Sequence, residues 1–176
     1  MRIALISDIH DHVWNLDAVL HHVQDADALL CCGDLCSPFV LSSIASAFKR
    51  PVHVVLGNND GDLYRIMQIA HRSPHVTVHG ELFSQELGGK RIVANHFPNV
   101  VELFDTAHAD VIVYGHDHRF AVERNAGTLT LNPGAVMGYN PIERRDVRPT
   151  YIVYDTGSHE AKGFALDGRE AHPFSG

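Results

Sequence analysis

The feature that most constrains this chain is a unit repeated through its first half: a short apolar run that stops at a glycine or an acid, then a longer amphipathic stretch. Arg2 to Ile6 stops before Asp8 and leads into Trp14 to Val23. Ala28 to Cys32 stops at Gly33-Asp34 and leads into Phe39 to Phe48, and His53 to Leu56 stops at Gly57 and leads into Leu63 to Ala70. Short apolar runs bounded by turn residues read as strands, and the longer segments with apolar residues three and four apart read as helices. Strand, helix and strand in succession set parallel strands side by side with helices against them. The rhythm then changes. Val76 to Val78, Leu82 to Leu87 and Arg91 to Asn95 are extended runs with Gly88-Gly89 as a hairpin turn. A helix over about Val100 to His108 and a strand Val111 to Tyr114 follow, and the remainder alternates like strands, with a polar stretch after Asp167 expected at the surface or poorly ordered. Neither a linker nor a repeat array divides residues 1–176, so one mixed α/β domain is expected.

A chain of 176 residues with 45% hydrophobic and 20% charged residues can bury a core without disulfides, and lacks an apolar run long enough for a membrane span. Met1 to Ser7 is interrupted at Asp8 and reads as a first strand, not as a signal peptide. Cys31, Cys32 and Cys36 are an odd number crowded into six positions, which suits free thiols in a reducing compartment, here the cytoplasm. A net charge of −7 works against an extended nucleic-acid interface. It leaves room for a small substrate held through metal, and for a homo-oligomer.

Histidine is the unusual residue, with 14 copies. His21, His22, His71, His75, His79, His159 and His172 lack ligand spacing and are expected to be scattered over the surface. The informative ones stand beside acids, Asn and Gly, where strands end. Asp8 and His10 are one residue apart, so an extended strand would turn both side chains to one side. Gly33-Asp34 and Gly57-Asn58-Asn59-Asp60 follow the next two strands, His96 follows another, and Gly115-His116-Asp117-His118 repeats the alternate spacing with two imidazoles. Open α/β sheets place ligands at such strand ends. This oxygen and nitrogen set is enough for two metal ions sharing an aspartate, and suits Mn, Fe, Zn, Ni or Co.

In that order, Asp8-x-His10, Gly33-Asp34, Gly57-Asn58-x-Asp60, His96 and Gly115-His116-x-His118 resemble the calcineurin-like metallophosphoesterase superfamily. Tyr114 to His118 and Asn132-Pro133-Gly134 are similar to its small single-domain phosphodiesterase branch in bacteria and archaea. The resemblance implies a four-layer α-β-β-α sandwich and two divalent metal ions, with Mn the first choice. It implies that Asp8, His10, Asp34 and His118 hold one ion, and Asp34, Asn58, His96 and His116 the other. The implied chemistry is hydrolysis of a small phosphoester, a phosphodiester before a monoester, by in-line attack of a metal-bridging hydroxide.

Two positions depart from the family pattern. Asn59 stands where many members carry a histidine that protonates the leaving group; with Asp60 it is expected beside the metal ligands, and its inability to give up a proton points to stabilised leaving groups. Phe97 replaces a usual glycine after His96 and is expected to pack at the core or rim. Asp11 is expected to cap the first helix, and Asn132 and Gly134 to loop beneath the site. The competing readings are a scaffold that keeps the fold without catalysis, and a metal-storage protein. Retention of every ligand position argues against the first, and dispersal of the ligands at strand ends against the second.

Overall fold

The computed structural model describes residues 1–101 and 108–172. The first half runs β1 (Arg2–Ile6), α1 (Val13–His22), β2 (Ala28–Cys32), α2 (Pro38–Ala47), β3 (Val52–Val55), α3 (Leu63–Arg72) and β4 (Val76–Val78). The second runs β5 (Leu82–Leu87), β6 (Lys90–Asn95), α4 (Pro98–Val101), β7 (Val111–Val113), β8 (Ala121–Asn125) and β9 (Thr128–Asn132). It ends with β10 (Tyr139–Asn140), β11 (Arg145–Asp146), β12 (Thr150–Asp155), β13 (Glu160–Ala165) and β14 (Glu170–Ala171).

β1, β2, β3 and β4 pair in parallel, as the strand and helix rhythm requires. β12 joins the free edge of β1 in antiparallel register, and β13 and β14 extend it, giving the order β14-β13-β12-β1-β2-β3-β4. A second sheet has the order β5-β6-β7-β9-β8, and β10 and β11 form a separate ribbon.

The pleat explains why the first three strands, Arg2 and His53 apart, are apolar. Ala4, Ile6, Leu29, Cys31, Val52 and Val54 face the helices and pack with Leu16, Val40 and Ile44. Ile3, Leu5, Ala28, Leu30 and Cys32 face the other way, against Phe83, Ile92, Val111 and Leu131 of the second sheet. A strand covered on both faces has no solvent side to make polar. Val93 and Ile112 point out of the second sheet into a further cluster with Ala109, and α4 lies beside β6. Three layers of the expected sandwich are therefore in place, with α4 beginning the fourth. The helix expected over Val100 to His108 falls largely on residues 102–107, outside the described residues.

The segment after Asp167 needs correction: Glu170–Ala171 pairs with β13 and Ala171 is buried. Short strand signals of two residues are too weak to read from periodicity. Among the described residues no helix is long and apolar enough to cross a membrane.

Candidate metal centre

The carboxyl ends of β1, β2, β3, β6 and β7 open onto one crevice. Backbone bonds lock their loops together: Asp8 N–H donates to Gly33 O (3.1 Å), His10 N–H to Asp34 O (3.0 Å), Gly115 N–H to His96 O (3.0 Å) and Met137 N–H to Asp8 O (3.0 Å). Such close nesting depends on glycine. A Cβ on Gly115 would stand 2.0 Å from Ser7 Oγ, and one on Gly57 2.2 Å from Asp34 Oδ1 and 2.7 Å from its backbone nitrogen.

Convergence of Asp8 with His10, and of His116 with His118, does not come from strand alternation as the spacing suggested. β1 ends at Ile6 and β7 at Val113, and all four ligand candidates lie in the left-handed region, at φ of 53°, 44°, 72° and 58°. Left-handed turns carry the side chains inward; sequence spacing alone cannot distinguish them from extended chain.

The side chains of Asp8, His10, Asp34, His96 and His118 meet at the centre. His10 Nε2 lies 3.8 Å from Asp8 Oδ1 and 3.4 Å from Asp34 Oδ2; His96 Nε2 lies 4.0 Å and 3.3 Å from the same atoms; His118 Nε2 lies 3.2 Å from Asp8 Oδ1. His10 Nε2 and His96 Nε2 are buried without a hydrogen-bond partner. Ligand atoms about 2.0–2.2 Å from one ion sit roughly 3–3.6 Å from each other, so most of this spacing is that of donors around a cation. The opposite ring nitrogens are anchored. His96 Nδ1–H donates to Cys32 O (2.8 Å) and His118 Nδ1–H to Tyr139 O (2.5 Å), which turns each Nε2 lone pair inward. Two compact groups result, Asp8 with His10 and His118, and Asp8 with Asp34 and His96. Asp8 is common to both, whereas the family resemblance makes Asp34 the shared carboxylate. Asp34 Oδ2 is nearly equidistant from His10 and His96, whereas Asp8 Oδ1 lies closer to His118 and His10 than to His96.

Electrostatics agree with a cation site. Burial pushes the Asp8 carboxyl up, but the facing imidazoles of His10, His118 and His96 outweigh it and hold the group well below the usual carboxylate range. Asp34 is likewise lowered, burial being outweighed by His96 and Asn59. Burial lowers His96 and His118, yet the facing carboxylates raise both above the ordinary imidazole value.

Two sequence candidates stand at the edge. His116 donates its backbone N–H to Asp8 Oδ2 (3.1 Å), and its ring lies 5.1 Å from that of His96. Asn58 is exposed on the loop after β3. Asn59 and Asp60 hold the Asp34 loop: Asn59, itself exposed, donates its N–H and Nδ2 to Asp34 Oδ1 and Oδ2, both at 2.8 Å. Asp60 accepts from Gly57 N–H (2.6 Å), Cys36 N–H (2.8 Å) and Asp34 N–H (3.1 Å). Phe97 packs its ring against His96 and His116 at 5.2 and 4.8 Å. Asn132 is buried and its Nδ2 donates to Asp117 Oδ1 (2.7 Å), so the Asn-Pro-Gly loop does lie under the site.

Asp11 does not cap the first helix. His12 takes that place through Nδ1, which accepts from Asn15 N–H (3.3 Å), and Asp11 Oδ1 accepts from Ser37 N–H (3.0 Å) at the start of α2. Asn140, whose Nδ2 donates to Asp117 O (3.0 Å), was not singled out from sequence. It is an asparagine in a turn-rich stretch, where only the fold reveals its partner.

The family model of the calcineurin-like phosphoesterase superfamily domain matches residues 1–159. A phosphodiesterase of Methanocaldococcus jannaschii is 26% identical over 172 residues, covering 95% of this chain and 100% of the relative. A solved archaeal phosphodiesterase superposes with a TM-score of 0.82 at 25% identity, over 94% of this chain and 99% of that one. Vacuolar protein sorting 29 from Cryptosporidium parvum shares the fold, with a TM-score of 0.70 at 22% identity over 99% and 98% of the two chains. This chain belongs to the calcineurin-like phosphoesterase superfamily.

Proposed function

We propose that this chain is a phosphodiesterase with two divalent metal ions. In this reading Asp8, His10, Asp34 and His118 hold one ion, Asp34, Asn58, His96 and His116 hold the other, and manganese is the working metal. The observation that carries it is the pair of orphaned, buried Nε2 atoms of His10 and His96, both directed at Asp34 Oδ2. A buried imidazole nitrogen without a partner is costly, and a metal ion removes that cost. When bound, two such ions supply positive charge to the phosphoryl oxygens and make water acidic enough to attack in line. The chain's own residues position this chemistry: Asn59 and Asp60 fix the Asp34 loop, and Cys32 O and Tyr139 O fix the imidazoles. The relative named as a phosphodiesterase supports the diester over the monoester. A single domain, a small phosphoester substrate and a cytoplasmic location complete the reading. The three free thiols favour a reducing compartment.

Asn59 refines the substrate. Its amide is occupied by Asp34 and cannot release a proton to a departing alkoxide, a contribution typically of about 10²–10⁴-fold. Aryl phosphodiesters are therefore expected to turn over faster than alkyl phosphate monoesters, and the reverse order under matched conditions overturns this refinement. The main test is hydrolysis of an aryl phosphodiester by protein stripped of metal and reloaded with manganese. Turnover that needs metal and disappears in Asp34→Asn supports the enzyme; no turnover with any divalent metal makes a scaffold on this fold the better reading.

A further inference from the structure

A cavity of about 670 Å³ lies beside the metal centre, with His118 common to both: the residue lines the cavity, and its Nε2 lies 3.2 Å from Asp8 Oδ1. The cavity is bounded by β8 on the edge of the second sheet, by Ala171 of β14 on the edge of the first, and by Asn140, Glu143 and Arg145 of the β10–β11 hairpin. Small-molecule sites occupy about 300–1,000 Å³. The space is therefore that of a whole ligand group, well beyond the single phosphoryl centre that two metal ions hold.

The hairpin is fastened to the metal loop. His118 Nδ1–H donates to Tyr139 O, and Asn140 Nδ2 donates to Asp117 O (3.0 Å). Asn140 is buried, and its Oδ1 accepts from Ile142 N–H and Glu143 N–H, both at 3.0 Å. Glu143 in turn accepts from two arginines, Arg119 Nη2 at Oε1 (2.9 Å) and Arg145 Nε at Oε2 (2.5 Å). Two guanidinium groups on one carboxylate leave positive charge in excess, in a chain whose net charge is −7. Arg145 Nη1 and Nη2, and Arg119 Nε and Nη1, have no partner among the described residues. A guanidinium fork with two unused N–H edges fits a phosphate. Asp117 and Glu123 also line the cavity, so it is no trap for any anion; the positive excess is local to Glu143. Tyr114, Phe120, Val122 and Val147, all half-buried, give the same cavity an apolar wall.

We infer that the cavity is a subsite for one ester substituent of the substrate, a nucleotide whose ring lies on the apolar wall and whose own phosphate meets Arg145 and Arg119. This rests on the phosphodiesterase reading, with the scissile phosphate at the metal centre. The preferred substrate is then a diester with a phosphorylated nucleotide on one side, not a diester of simple alcohols. A sugar phosphate would engage the forks and leave the apolar wall wet; a nucleoside would cover the wall and leave the forks unpaired. Arg145 determines specificity, and Asn140 is a positioning residue that acts on it through Glu143.

Calorimetric titration of metal-free protein with adenosine 5′-monophosphate, adenosine and ribose 5-phosphate reads the subsite without turnover. The nucleotide is expected to bind at least about tenfold tighter than either half, the scale of a charge-assisted contact. Arg145→Met removes that advantage, and Arg145→Lys, which keeps the charge and loses the fork, retains only part of it. The Arg145 side chain is 63% exposed, so neither change reaches the core. Equal affinity for the three probes, or an advantage indifferent to Arg145→Met, overturns the inference. With manganese-loaded protein, kcat/KM for a 5′-phosphorylated dinucleotide is expected to exceed that for the same dinucleotide without the terminal phosphate by at least about tenfold. Arg145→Met brings that ratio toward one; a ratio near one in the unaltered chain overturns the inference. Bis(4-nitrophenyl) phosphate, which has no second phosphate, keeps the two readings apart. Its hydrolysis alongside failure of either nucleotide measurement strikes the subsite and leaves the phosphodiesterase standing. No hydrolysis of it or of either dinucleotide with any divalent metal strikes the phosphodiesterase, and the substrate role of the cavity with it.

Discussion

Both donors of Asn59 are engaged by one carboxylate, the backbone N–H by Asp34 Oδ1 and the side-chain amide by Asp34 Oδ2. Groups that orient a metal ligand from behind typically change metal affinity about 10–100-fold when removed. Asn59→Ala is therefore expected to weaken metal binding by about that factor while leaving the fold intact, as read by calorimetric titration with manganese; unchanged affinity would show that Asp34 is held by its loop alone. At this scale much was legible. Five ligand candidates sit beside strand ends as acids and imidazoles, and the chain brings their donor atoms together. Less legible was which residue supports which. The capping role of His12, the tie of Asp11 to Ser37 and the hold of Asn140 on Asp117 all link residues whose partners are set by loop packing.

Strands and helices were legible because each carries a period, and the first three parallel strands follow their expected order. What periodicity cannot encode is the partner of an isolated histidine. His79 was expected among scattered surface residues, yet its Nε2 meets His53 Nδ1 at 3.0 Å across the ends of β3 and β4, with Phe83 against both rings. His75 and His159 are likewise tied, to Ala45 O and to Tyr154 OH. Burial lowers His53, with the neighbouring His79 adding to it, and burial lowers His79. A base lowered on folding binds fewer protons than the unfolded chain below about pH 6.5, so its contribution is intact above that value and lost as pH falls toward the folded value. Urea unfolding of metal-loaded protein should show stability declining from about pH 7.5 to 5.5, with the ligand imidazoles, held deprotonated in the fold, adding to the decline. His53→Leu should flatten that decline; an unaltered slope would assign it to other groups.

Across the whole molecule, the candidate ligands come from both sheets: Asp8, His10 and Asp34 from loops of the first, His96 and His118 from loops of the second. An ion held there fastens one sheet to the other, so its binding energy is also folding energy. At about 100 times the dissociation constant an ion adds about 2.7 kcal/mol, which for a domain near this size is roughly 5–11 °C in melting temperature. Manganese is expected to raise the midpoint by that order, and Asp34→Asn to abolish the rise in scanning calorimetry. Of eleven non-glycine residues with positive φ among the described residues, seven are Asp8, His10, Asp11, Asp34, Cys36, His116 and His118. Each such conformation costs roughly 1–3 kcal/mol, a load that glycine at the same position does not carry. Selection for turnover and selection for a robust fold therefore pull in opposite directions at these positions. In a lineage freed from catalysis, exchanging ligands for glycine would strengthen the metal-free protein, and the evolutionary path from enzyme to inert framework would run downhill.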